Sequence, residues 1–83
     1  MLIETLNEPI KVRVDFEGSR MTPVLFKRNG RVIRIRTVNA RWEDHERQLG
    51  RYFFSVEADG NVYELHLDTR TMTWRLDRVC LNG

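Results

Sequence analysis

The chain is poor in cysteine and proline, with one Cys and two Pro in 83 residues. A lone thiol, Cys80, cannot form an internal disulfide, so a reducing, cytoplasmic setting is expected. No apolar run approaches the ~20 residues that a membrane-spanning helix needs. The opening MLIETLNEPI has no basic region of the secretory kind. No membrane partner is expected. Imidazoles are equally scarce. His45 and His66, with Cys80, stand in no Cys-x-x-Cys, His-x-x-x-His or HExxH spacing, so neither a metal nor another cofactor is expected. Glycine-rich phosphate cradles are missing, and Ser19 and Ser55 have no G-x-S-x-G setting. Cys80 lies close to the end with no base to orient it. These absences argue for a non-enzymatic protein.

What is present is β-strand pattern and arginine. Eighty-three residues suit one small β domain, 1–83, with 1–8 and 81–83 expected to fray. Its stability should be on the order of 4–12 kcal/mol. The clearest stretch is RYFFSVEADGNVYELHL, Arg51 to Leu67. Tyr52, Phe54, Val56 and Ala58 alternate with Phe53, Ser55 and Glu57. Asp59-Gly60 is a hairpin turn, and Tyr63, Leu65 and Leu67 alternate on the return arm. Ile10 to Phe16 alternates in the same way. Residues 17–23 read as a loop. Val24 to Arg28, Asn29-Gly30 and Arg31 to Val38 read as a second hairpin, its return arm extending as far as Trp42. Ala40 to Gly50 is the one stretch with helical potential, at most a single turn. Met72 to Cys80 reads as the last strand. The expected fold is all-β: a six-stranded antiparallel meander, curled into a small barrel or a strongly twisted sheet.

Several of these segments together, PVLFKRNGRVIRI, Trp42, RYFFSVEADGNVYEL and DTRTMTWRLDRV, resemble a family of small uncharacterised bacterial all-β domains. They are similar to C-terminal segments of accessory Y-family polymerase-like proteins of mutagenic DNA repair. The shared positions, Pro23, Phe26, Gly30, Arg31, Trp42, Arg51, Tyr52, Phe53, Val56, Gly60, Tyr63, Leu65, Asp68, Trp74 and Leu76, are mostly turn and core types. The resemblance therefore implies a fold and a DNA-repair neighbourhood. With no polymerase motif in the chain, it implies no polymerase activity.

Charge is unevenly distributed. Residues 27–51 carry a net +5, against −1 for 1–26 and −2 for 52–83. Most of the basic residues are arginine, which suits bidentate phosphate contacts and stacking on rings. Alternation puts Arg34 and Arg36 on one face of the second hairpin, with Arg28 and Arg31 near its tip. These four form a candidate nucleic-acid-binding stripe. Phe53, opposite in face to Tyr52 and Phe54, is the candidate base-stacking ring. The plainer alternative is a solvated face whose arginines pair with Glu57, Glu64 or Asp77. The chain would then be a protein-interaction or self-association module, a homodimer joined through exposed edge strands. Trp74 is expected in the core, in step with Leu76.

Overall fold

The computed structural model describes residues 1–44 and 50–82, and they form one antiparallel sheet. Its strands are β1 (Leu2–Glu17), β2 (Arg20–Arg28), β3 (Arg31–Arg34), β4 (Thr37–Asp44), β5 (Arg51–Ala58), β6 (Asn61–Asp68) and β7 (Thr73–Leu81). There are seven strands where the sequence pattern predicts six, in the order β3-β2-β1-β7-β6-β5-β4. The described residues contain no helix. Ala40–Asp44, expected to begin a loop or helical turn, is strand, and His45 with the rest of 45–49 lies outside the described residues.

The central hairpin forms as its alternation dictates. Phe54 pairs with Leu65 and Val56 with Tyr63, all four buried. Asp59 has φ 53° and Gly60 φ 73°, the two positive values of a type I′ turn. Asn29 and Gly30 repeat this geometry between β2 and β3. β5, β6 and β7 supply most of the buried core, joined by Phe26 and Ile33 from β2 and β3. Trp74 packs against this cluster, partly buried.

Three segments depart from the sequence expectation. β1 is sixteen residues long and includes the stretch expected to fray. Residues 2–5 pair with 78–81 of β7. β2 begins at Arg20, inside the expected loop, and its Pro23 is fully buried. The register shifts between Arg13 and Val14 of β1, opposite Pro23, and such a bulge is where a strand tolerates a residue with no N–H.

The expected single arm from Arg31 to Val38 is divided. β3 pairs with β2 and β4 pairs with β5, at opposite ends of the strand order. Only Ile35 and Arg36 connect them. The Ile35 N–H donates to the Val24 carbonyl (3.0 Å), and the Arg36 N–H to the Glu57 carbonyl (2.8 Å). Arg34 and Thr37 are three residues apart and so at most about 11 Å from each other, and the ends of β3 and β4 must adjoin. The sheet is therefore curled into a half-barrel, with its apolar residues inside. Beyond this junction the Arg41 guanidinium crosses to β2, where Nη1 donates to the Met21 carbonyl (2.7 Å), and it lies 5.7 Å from the Phe54 ring centre.

Candidate nucleic-acid interface

The curl separates the four arginines of the predicted stripe. Arg28 and Arg31 are directly opposite each other across β2 and β3, on the same face as Phe26 and Ile33. Each is neutralised by a carboxylate: Arg28 by Glu8 at 2.5 Å, both half-buried, and Arg31 by Asp59 at 2.8 Å, tying the two hairpin tips together. Arg36 lies in the β3–β4 connection, 3.9 Å from Glu57. All three thus have carboxylate partners, of which only the Glu57 of Arg36 is among the acids expected. The other two acids considered for pairing are also engaged, Glu64 with Arg78 and Asp77 with His66 Nδ1 at 2.8 Å.

Arg34 differs. It is exposed, and among the described residues it has no acidic partner. Its neighbours on the outer face come from other strands. Arg34 is opposite Leu25, and Leu25 is opposite Arg13. One row below, Val32 is opposite Lys27, and Lys27 is opposite Lys11. Lys11, Arg13, Lys27 and Arg34 are all exposed, and none is paired with an acid among the described residues. Their Cα positions span three strands, about 10 Å, by two residues, about 7 Å. Asp15, two residues beyond Arg13, bounds the patch on β1.

Two lysines directly opposite on a sheet repel, which a solvated structural face would avoid. Lys11, Arg13 and Lys27 escape a sequence search because they come from separate segments that only the β1–β2 register unites. The signal that could have found them is alternation: Lys11 and Arg13 share the polar side of Ile10 to Phe16, and Lys27 the polar side of β2.

Phe53 is on the outer face as expected, but away from the arginines. It stacks on Trp42, with centroids 5.5 Å apart and rings inclined by 6°, and it packs against His66 at 5.1 Å. The Arg51 guanidinium lies 6.0 Å from its centre and is itself 3.0 Å from Asp44. Trp42 is 43% exposed and is one wall of a 480 Å³ pocket lined also by Phe16, Tyr52, Met72, Arg20 and Arg41. Among the described residues no group of three His, Cys, Asp or Glu side chains is placed to hold a metal ion.

No family model matches the chain, and no curated protein or solved structure does either.

Proposed function

We propose that this domain is a non-enzymatic binding module for nucleic acid, contacting the phosphate backbone through the outer face of β1, β2 and β3. The observation that carries this reading is the group Lys11, Arg13, Lys27 and Arg34, four exposed cations on adjacent strands that have no acidic partner among the described residues. A sheet surface keeps such a group at some cost in stability, and a polyanion is the partner that offsets it. Leu25 and Val32 lie between the charges and offer apolar contact to sugars or base edges. The candidate set Arg28, Arg31, Arg34, Arg36 is thereby reduced to Arg34 and extended by three residues.

Self-association is less well supported. Among the described residues, residues 2–9 of β1 have a strand neighbour on the β7 side alone, and Leu2 and Ile3 are exposed there. That edge is interrupted by Asn7, with φ 46°, and by Pro9, and such features discourage pairing with another chain.

The test is titration of labelled oligonucleotides at two salt concentrations. With four phosphate contacts, affinity for a single strand should fall about 50-fold over a fourfold rise in salt. The double variant Lys27→Glu/Arg34→Glu should abolish binding. Arg31→Glu/Arg36→Glu, with the same change in net charge, should retain most of it. Equal loss in both variants would show that net charge rather than this face governs binding, and the assignment would fall.

A further inference from the structure

We infer that the nucleic acid bound is single-stranded and that one of its bases stacks on Trp42. This inference rests on the reading just given and deepens it.

Trp42, Phe53, His66 and Arg75 are directly opposite one another in sequence of strands, β4 to β5 to β6 to β7, and Arg75 is opposite Pro9 of β1. They make one continuous row across the outer face. Two residues along β1 from Pro9, on the same face, is Lys11, where the unpaired basic group begins. At ~4.8 Å per strand, the row runs about 19 Å from Trp42 to Pro9. Arg75 continues the positive charge along it, because among the described residues its guanidinium bonds neutral groups: Nε donates to Asn7 Oδ1 (3.0 Å) and Nη2 to the Asn7 carbonyl (2.7 Å).

The stack has one open end. Phe53 is covered by Trp42 on one side and His66 on the other, with Arg51 nearby, so Phe53 itself has no face to offer. Trp42 stands on the edge strand β4, and among the described residues no further ring lies beside it. Trp42 is 43% exposed and also lines the 480 Å³ pocket, together with the exposed Phe16 and Met72. A flat ring laid on the exposed side of Trp42 would continue the Trp42–Phe53 stack. A duplex hides its base faces within its own stack, whereas a single strand presents them. An exposed terminal ring continuous with a phosphate-binding surface therefore fits the single strand. Phe53, expected to be the stacking residue, instead holds Trp42 in place.

The experiment compares three probes: a single-stranded oligonucleotide, a duplex of the same sequence, and inorganic polyphosphate, which has charge but no bases. The proteins are wild type, Trp42→Ala and Trp42→Phe, each checked by circular dichroism. Single-stranded DNA should bind more tightly than duplex at equal salt. Trp42→Ala should weaken it about 5- to 150-fold, the measured range for loss of one base–aromatic stack. Trp42→Phe should recover part of that loss, because a smaller ring still stacks, and polyphosphate affinity should be the same in all three proteins. Should Trp42→Ala bind single strands as wild type does, or duplex bind as tightly as single strand, the inference is overturned while the basic face stands. An equal loss of polyphosphate binding in Trp42→Ala would mark Trp42 as structural and overturn it too. Absence of any oligonucleotide binding at low salt would instead remove the proposed function, and the inference with it.

Discussion

Whether a given arginine is available depends on its cross-strand neighbours rather than on local sequence. Arg31 and Arg34 are three residues apart in one short strand. Arg31 faces the Asp59 carboxylate on the other hairpin tip, whereas Arg34 faces Leu25 with Arg13 beyond it. Lys27, between Lys11 and Val32, is the most exposed to like-charge repulsion. Lys27→Gln should therefore raise stability by about 0.3 kcal/mol at low ionic strength, which is roughly 2 °C in Tm for a domain of this size. The gain should disappear in molar salt, where screening removes the repulsion. A thermal melt at the two salt concentrations measures it. If Lys27→Gln lowered Tm at low salt, the lysine would have a favourable partner and the patch would not be unneutralised. At this scale the sequence was informative about which side of a strand a residue occupies. Phe53 and His66 are on the outer face, as alternation requires. It was silent on partners such as Glu8 for Arg28, twenty residues apart.

The strands show where periodicity stops being informative. The hairpin from Arg51 to Leu67 was legible because both arms alternate and the turn is Asp-Gly. The stretch from Arg31 to Asp44 was not, because its alternation is consistent with one long strand, and nothing local marks the change of partner at Ile35–Arg36. β1 likewise serves two neighbours, β7 with its first half and β2 with its second. This sharing lets a chain of only 83 residues curl seven strands around one core. Above the β3–β4 junction, the Arg41 side chain donates a hydrogen bond from β4 to the backbone of β2. Arg41→Ala removes a charged hydrogen bond and the cover over Phe54, a loss of about 1.5–3 kcal/mol. Amide hydrogen exchange should then speed up in Met21–Val24 and in β4, with β5, β6 and β7 keeping their protection. Uniform acceleration across all strands would show that the seam does not open separately from the rest.

At the scale of the whole molecule, one sheet has two faces with separate duties. The inner face holds the fold together, and the outer face carries both the basic group and the aromatic row. Leu76 lies on β7, the middle strand of the seven, and is fully buried. Leu76→Ala should cost about 2–5 kcal/mol, a large part of the roughly 4–12 kcal/mol available to a chain this short. Because both halves of the outer surface hang on strands that meet this core, basic group and aromatic row should be lost together. Oligonucleotide binding and circular dichroism should then share one denaturation midpoint, lowered in the variant. Lys27→Glu/Arg34→Glu should behave in the opposite way, losing binding while leaving that midpoint near its wild-type value, since neither side chain touches the interior. Binding that persisted after the sheet had melted would point to an unfolded, merely basic chain as the ligand-binding form. In that case the arrangement of Lys11, Arg13, Lys27, Arg34 and Trp42 on one curved surface would have no part in recognition.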